Sequence, residues 1–187
     1  MRKLLILLTL LVTMVSCKKE VLINGTNFTE YRISEHRSTN TIHKIKTHVI
    51  EGKAMFSASC EYELTENIGQ INKLTGLSNG LDHQKNSIRI GWVYENGAFD
   101  LYSYSYYNGE RTEQKLTSVL TDEVFSFKIG IELNRYYIII NGVEYNTPVS
   151  FDELDNSYLL YPYFGGKEPF PNSIHGDKEC KIYLQIN

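Results

Sequence analysis

Apolar residues recur at every second position through much of the chain after residue 43, and this alternation is the feature that most constrains the fold. One segment shows it clearly, with apolar side chains separated by a cation or a glycine: Ile88, Arg89, Ile90, Gly91, Trp92. Side chains two apart in a strand point to the same face, so a period of two indicates strands with one buried face. The high content of ring side chains, 14 Tyr and 8 Phe against 4 Pro, also suits pleated sheets.

Asn-Gly pairs separate several of these segments. They occur at Asn96-Gly97, Asn108-Gly109 and Asn141-Gly142, and such pairs favour two-residue hairpin turns. About eight or nine strands at a spacing of roughly 8–12 residues are expected over residues 43–187, one of them at residues 55–64. The pattern is typical of an all-β, antiparallel two-sheet β-sandwich. Residues 67–81 break it, and we expect a helical turn or two, or a loop, in that segment.

The first sixteen residues form a separate unit. Two basic residues precede an apolar run over residues 4–15, which is the pattern of a secretory signal peptide and too short for a comfortable membrane span. The run ends in Met14-Val15-Ser16-Cys17, which resembles the lipobox of bacterial lipoproteins. That resemblance implies cleavage before Cys17 and acyl chains on that residue, which would anchor the protein stably in a membrane. An ordinary secretory leader cut near Cys17 is the alternative.

The residues after Cys17 bear on localisation and domain boundaries. Lys18 is not the Asp that favours inner-membrane retention of bacterial lipoproteins, so the resemblance implies the outer membrane, on its periplasmic or its outward face. The start Cys17-Lys18-Lys19-Glu20 is similar to lipoproteins of the Bacteroidota. Residues 17–42 are polar and poorly periodic. We therefore expect a lipidated N-terminus and a flexible tether there, followed by one β-sandwich domain over residues 43–187.

Charge and motif content exclude several classes of function. Removing residues 1–16 takes two of the 19 basic residues and none of the 22 acidic ones, which leaves a formal charge of −5. With that sign and no basic stripe, no nucleic-acid partner is expected. The sequence contains no nucleophile elbow, phosphate loop or dinucleotide fingerprint, and no Cys and His spacing that suits zinc. We therefore expect no cofactor and no metal site.

The succession of hairpins over residues 43–187, with a last strand that could pair near the first, resembles the jelly roll of the concanavalin-like lectin and glucanase superfamily. Residues 87–92 (SIRIGW) and 161–166 (YPYFGG) are similar to stretches of uncharacterised bacterial lipoprotein domains of this shape. The resemblance implies a fold and no particular activity.

The most distinctive candidate site is a row of tyrosines. Tyr102, Tyr104 and Tyr106 alternate along one predicted strand, opposite to Phe99 and Leu101, so the three tyrosines share an outward face. Arguments from alternate strand positions place three further residues on this face: Arg89, Tyr161, Tyr163. We predict that the six residues together form a ligand-binding surface.

Tyrosine rings can stack on the C–H faces of sugars, and their hydroxyls can bond sugar hydroxyls. The expected function is therefore carbohydrate binding by a lipid-anchored envelope protein. The alternative is that the tyrosines are packing pairs on a covered sheet face, which would suit a structural or protein-interaction role.

Two enzyme classes of the superfamily provide further alternatives. The glucanases carry Glu-x-Asp-x-x-Glu on one strand, and Glu61-x-Glu63-x-x-Glu66 resembles that pattern with Glu in place of the Asp; a solvated strand face is the favoured interpretation. The polysaccharide lyases use Tyr and His with an Arg that neutralises a uronate. The Gln-x-His element of the lyases is absent, although the sequence supplies those residue types: Arg89, Tyr102 or Tyr104, Tyr161 or Tyr163, and His83 and His175. Catalytic residues are left unassigned.

The two cysteines of the domain are predicted to point into the core. Cys60 shares the parity of Phe56 and Tyr62, and Cys180 shares that of Ile182. We expect two buried thiols, because free Cys is common as a small buried hydrophobe. A disulfide is the alternative, since the cell envelope is oxidising.

Overall fold

A computed structural model describes residues 19–34, 42–63, 71–165, 170–171 and 173–187. Within these ranges the chain forms thirteen β-strands, and the one helical element is the short 3-10 helix Ala58–Cys60. No helix in this part of the chain has the length and apolar character needed to cross a membrane. Cys17 lies outside the described residues, so its lipidation stays a prediction.

The strands form two sheets in which every neighbouring pair is antiparallel. In spatial order the seven-stranded sheet contains β1 (Lys19–Ile23), β2 (Thr26–Ile33), β13 (Cys180–Ile186), β4 (Val49–Phe56), β9 (Phe125–Ile131), β10 (Arg135–Ile140) and β11 (Val143–Pro148). The six-stranded sheet contains β3 (His43–Ile45), β12 (Ser157–Leu160), β5 (Asn72–Asn79), β6 (Ser87–Glu95), β7 (Ala98–Tyr107) and β8 (Glu110–Val119). The predicted two-sheet antiparallel β-sandwich is confirmed.

The hairpin turns form at the Asn-Gly pairs. Asn96 and Gly97 have φ angles of 52° and 80°, and the pair at Asn108-Gly109 has angles of 52° and 84°. Two successive positive φ values define the type I′ turn, whose twist matches that of the flanking strands, and Asn and Gly adopt them at the lowest steric cost. These turns set the register of β6, β7 and β8, on which the candidate site is built.

The core lies between the two sheets and is rich in aromatic rings. Ile88, Ile90 and Trp92 of β6 are fully buried there. The ring of Phe56 stacks on that of Phe99 with centroids 4.6 Å apart and lies 5.0 Å from that of Trp92. Burying a large apolar side chain of this kind stabilises the fold by about 1.5–3 kcal/mol. Since the apolar residues of β6 face this core, the intervening residues of the strand face outward.

The predicted flexible tether is wrong for residues 19–33. β1 pairs with β2, and β2 pairs with β13 inside the seven-stranded sheet. Phe28, Tyr31 and Ile33 are buried, and their burial outweighs the polar character of the segment that suggested a tether. The sandwich therefore begins at Lys19 rather than at residue 43.

The segment expected to be a helix or loop over residues 67–81 contains a central strand. Residues 72–79 are β5, which lies between β12 and β6; residues 67–70 lie outside the described residues. Both faces of β5 are covered, so polar and apolar side chains are buried alike and no alternation is visible in its sequence. Thr75, for example, is fully buried and donates a hydrogen bond to the carbonyl oxygen of Leu160 at 2.9 Å.

The expected strand at residues 55–64 ends early. β4 stops at Phe56, and the 3-10 helix Ala58–Cys60 follows. This turn places Cys60 beside the start of β13, where it forms a disulfide with Cys180, with Cα atoms 4.4 Å apart. The expectation of two free thiols is therefore wrong. Side-chain parity correctly indicated that both residues are buried, but it could not reveal the turn that brings them together.

Candidate functional site

A pocket of about 470 Å³ opens on the outer face of the six-stranded sheet. Its described lining combines aromatic and charged side chains, including Lys73, Arg89, Tyr104, Tyr106, Arg111 and Tyr163. These residues come from β5, β6, β7, β8 and the segment that follows β12. His83 and Gln84 of the β5–β6 connection also line the pocket, so four strands and the segments next to them build the site.

Strand register explains why these side chains meet. One row across β5 to β8 consists of Gly76, Arg89, Tyr104 and Glu113. The next row, two residues along each strand, consists of Ser78, Ser87, Tyr106 and Arg111. Side chains two apart on a strand share a face. The two rows therefore form one continuous surface.

Arg89 lies at the base of this surface and is only 9% exposed. Its Nη2 donates a hydrogen bond to the carbonyl oxygen of Tyr161 at 2.7 Å, and its Nε has no hydrogen-bond partner among the described residues. Burial lowers the pKa of Arg89 to about 10, and the neighbouring titratable groups that oppose this effect are Tyr104 and Tyr163 rather than a carboxylate. The guanidinium is therefore a buried cation without a described counter-ion.

Gly76 makes room for the side chain of Arg89. A Cβ atom at position 76 would lie 2.3 Å from the carbonyl oxygen of Ile88 and 2.6 Å from Cγ of Arg89, closer than real Cβ contacts come, so the glycine also allows the close approach of the β6 backbone. The missing side chain allows Arg89 to cross over β5 and reach the carbonyl oxygen of Tyr161 beyond it. The glycine is thus required for the position of the arginine.

Lys73 is a second cation of the pocket and is partly buried. Its Nζ donates to the carbonyl oxygen of Ile71 at 2.6 Å and lies 4.3 Å from the ring centroid of Tyr104, which is within cation–π range. Burial, and next the charge of Arg89, lower the pKa of Lys73 to about 8. Backbone hydrogen bonds of 2.9 Å in both directions between Lys73 and Tyr163 hold that tyrosine at the same wall.

Tyr104 and Tyr106 form the aromatic floor beside these cations. Their ring centroids are 5.8 Å apart in an edge-to-face arrangement, and their hydroxyl oxygens are 3.3 Å apart. Burial raises the pKa of Tyr104 to about 12, so its hydroxyl is neutral and can donate a hydrogen bond. Arg111 lies over the Tyr104 ring at 5.9 Å and forms an ion pair with Glu113 at 3.1 Å.

The structure brings together four of the six residues predicted for the ligand surface: Arg89, Tyr104, Tyr106 and Tyr163. Tyr102 lies on the same face of β7 but in the row of Gly91 and Lys115, outside the pocket lining. Tyr161 does not share the surface. Its ring packs in the core 6.2 Å from that of Tyr31, because β12 ends at Leu160 and strand parity no longer applies beyond it.

Three charged residues of the pocket were missed by the sequence analysis. Lys73 lies in the segment interpreted as a helix or loop, next to an irregularity in the register of β5. Arg111 and Glu113 could have been found, because a two-residue turn at Asn108-Gly109 places them opposite Tyr106 and Tyr104.

Glu61 and Glu63, two of the three glutamates of the glucanase-like pattern, are not part of the described lining of the pocket. Glu61 accepts a hydrogen bond from Thr121 and lies 2.9 Å from Nε2 of His175, and Glu66 lies outside the described residues. Among the lyase-type histidines, His83 lines the pocket and His175 does not. Within the described ranges, no group of three or more His, Cys, Asp or Glu side chains is placed to hold a metal ion.

No family model matches the sequence, and no curated protein matches it. Solved structures do match in fold. An alginate lyase has a TM-score of 0.58 at 10% identity, covering 86% of this chain and 74% of its own. A Bacteroides ovatus GH16 protein of a mixed linkage glucan PUL, solved with a product, has a TM-score of 0.55 at 12% identity, covering 90% and 84%. The β-glucanase of Bacillus licheniformis has a TM-score of 0.54 at 10% identity, covering 85% and 76%. These similarities establish the jelly-roll fold.

Proposed function

We propose that this protein binds carbohydrate in the pocket of the six-stranded sheet. The observation that carries the proposal is the convergence of Tyr104, Tyr106 and Tyr163 with Lys73 and Arg89 around one concave space. The partly exposed rings of Tyr106 and Tyr163 supply apolar faces for sugar C–H groups, and the tyrosine hydroxyls and the cations supply donors for sugar oxygens. A volume of about 470 Å³ is in the usual range for small-molecule sites.

The solved structures of similar fold support a sugar ligand. The names of those proteins refer to mixed-linkage glucan, β-glucan and alginate. Identities of 10–12% are too low to transfer a substrate. The support for the site itself therefore comes from the side chains of this chain.

Binding without hydrolysis fits the described carboxylates. Glycoside hydrolysis requires two carboxyl groups that flank the scissile bond. The described lining of the pocket contains one, Glu113, and it is already paired with Arg111. Lyase action is the second candidate, because Arg89, Tyr104 and His83 line the same pocket and include the residue types that remove a proton beside a uronate.

We also propose that a lipid on Cys17 anchors the domain in the cell envelope, in the outer membrane. β1 begins at Lys19, only two residues after Cys17. A lipid at that position would therefore hold the β1 edge of the sandwich close to the membrane surface, without the long tether that the sequence suggested.

The proposal is tested by a glycan array followed by calorimetric titration of the glycans that bind. Tyr106→Ala should weaken binding by about 1–2 kcal/mol, as expected for the loss of an aromatic contact, because Tyr106 is a partly exposed ring of the lining. Tyr183→Ala is the matched control, because Tyr183 lies in β13 of the other sheet and should leave affinity unchanged. Equal affinity of both variants and the parent would place the site elsewhere, and absence of any glycan ligand would refute the proposal. Ultraviolet detection of unsaturated products in the same samples tests the lyase candidate.

A further inference from the structure

We infer that the pocket recognises an acidic sugar, whose carboxylate or sulfate group pairs with Arg89. This inference rests on the proposed function and specifies its ligand class. The buried charged residues of the molecule differ in whether they have a partner of opposite charge. Three charged residues are at most 9% exposed in the described chain: Glu30, Arg89 and Asp100.

Two of these three have partners of opposite charge. Glu30 forms ion pairs with Lys19 at 3.1 Å and with Arg32 at 2.7 Å. Asp100 forms an ion pair with Lys115 and accepts a hydrogen bond from Ser118. Each buried carboxylate thus has a cation beside it, as expected from the cost of burying a lone charge.

Arg89 is the exception. Among the described residues, its guanidinium donates one hydrogen bond to a neutral backbone carbonyl and interacts electrostatically with two tyrosines, and its Nε has no hydrogen-bond partner. A buried guanidinium in such surroundings is stabilised by an anion. Because Arg89 lines an open pocket, a ligand can supply that anion.

The other charged residues of the pocket also favour an anionic ligand. Lys73 and Arg111 join Arg89 there, and Glu113 is the one described acidic residue of the lining. The pocket is therefore positive, whereas the whole chain has a formal charge of −3. Glu113 pairs with Arg111 and leaves Lys73 and Arg89 available. Neutral glucans have no group to balance these charges, whereas uronates and sulfated sugars do.

The hydroxyls of the site suit an anion equally well. The raised pKa of Tyr104, caused first by burial, keeps its hydroxyl protonated and able to donate. Arginine with hydroxyl donors is the usual combination for a carboxylate or sulfate, because the planar guanidinium can donate two parallel hydrogen bonds. Recognition of the charged group by Arg89 would hold the sugar beside the partly exposed ring of Tyr106.

The test uses oligosaccharides of alginate, polygalacturonate and chondroitin sulfate, each printed beside its carboxyl-reduced or desulfated counterpart, together with neutral β-glucan oligosaccharides. We expect acidic forms to bind, and at least one counterpart to bind about 10- to 100-fold more weakly, the range for a hydrogen bond to a charged group. Loss on carboxyl reduction identifies a carboxylate, and loss on desulfation identifies a sulfate. Equal binding of acidic and neutral forms would overturn the inference while leaving carbohydrate binding intact. Absence of binding to every glycan would instead refute the proposed function.

Variants of the cations complete the test. Arg89→Met should weaken binding of the acidic glycan by about 10- to 100-fold, and Arg89→Lys should restore part of the loss because it keeps the charge. Lys128→Met is the control, since it removes one charge from the other sheet, where Lys128 pairs with Glu51 at 3.0 Å. Thermal unfolding verifies that each variant is folded. Equal weakening by Arg89→Met and Lys128→Met would contradict a specific role for Arg89.

Discussion

Nη2 of Arg89 lies 2.7 Å from the carbonyl oxygen of Tyr161, and this hydrogen bond spans β5. It joins β6 to the segment after β12 across the position of Gly76. The contact fixes the orientation of the one buried charge that has no described counter-ion. The shape and the electrostatics of the pocket therefore depend on the same side chain.

Gly76→Ala should disturb the pocket and the fold together. The new Cβ would meet Cγ of Arg89 at 2.6 Å, and overpacking of this kind costs about 1–3 kcal/mol. We expect a lower free energy of unfolding in urea and loss of glycan binding. Gly142→Ala serves as the control: it introduces a side chain at positive φ in a hairpin turn with nothing within 4 Å. It should destabilise the protein modestly and leave affinity unchanged. Wild-type affinity in Gly76→Ala would show that the position of Arg89 is not needed for binding.

The lowered pKa of Lys73 predicts how the free energy of unfolding changes with pH. Burial lowers its pKa from 10.5 to about 8 in the folded protein, so between these values the unfolded chain binds more protons and stability rises with pH. Below pH 8 the charged amine imposes its full cost. Lys73→Met removes this cost, so the stability of the variant relative to the parent should be highest near pH 7 and should fall by about 1–3 kcal/mol as the pH approaches 10.

Urea unfolding of Lys73→Met and of the parent, each near pH 7 and near pH 10, measures this difference in stability. The other titratable groups are the same in both proteins, so their contributions to the pH dependence cancel in the difference. A relative stability that is the same at both values would mean that Lys73 is not desolvated in the folded state.

The bridge between Cys60 and Cys180 should contribute substantially to stability. It links residues 120 apart in the sequence, and a cross-link of that length typically contributes about 2–5 kcal/mol. The double variant Cys60→Ala and Cys180→Ala should unfold at a correspondingly lower urea concentration. Alkylation under denaturing, non-reducing conditions should leave both cysteine peptides unmodified; two alkylated peptides would show free thiols.

Lipid anchoring at Cys17 predicts a change in fractionation. Cells that express Cys17→Ser should release the protein from membranes and should not label it with palmitate, because the site of acylation is lost. The double variant Cys60→Ala and Cys180→Ala, which leaves no unpaired thiol in the domain, controls for a general effect of cysteine substitution and should keep the label. A Cys17→Ser protein that still labels and sediments with membranes would refute the lipoprotein prediction.

The sequence predicted those strands that have one buried face. In β6 the apolar residues Ile88, Ile90 and Trp92 recur at every second position, and Asn96-Gly97 joins this strand to β7, so the outward residues of both strands follow from the period of two. β5 was not predicted because both of its faces are covered, which buries polar and apolar residues alike. β2 was not predicted because its polar composition hides the few buried positions that attach it to β13.

The sequence predicted some of the site residues that lie within regular strands. Strand parity placed Arg89, Tyr104 and Tyr106 on one face, and the structure groups them in one pocket. Parity failed for Tyr161, which lies beyond the end of β12. That Arg89 has no described anion beside it depends on which side chains meet across four strands. No pattern within one strand reports that arrangement.

The most direct test of the account is a crystal structure of the protein with a glycan identified by the array. We predict that the sugar lies in the pocket of the six-stranded sheet, with one ring face against Tyr106 and an oxygen within hydrogen-bond distance of the Arg89 guanidinium. A sugar bound on the seven-stranded sheet, or at a site without contact to Arg89 and Tyr106, would contradict it.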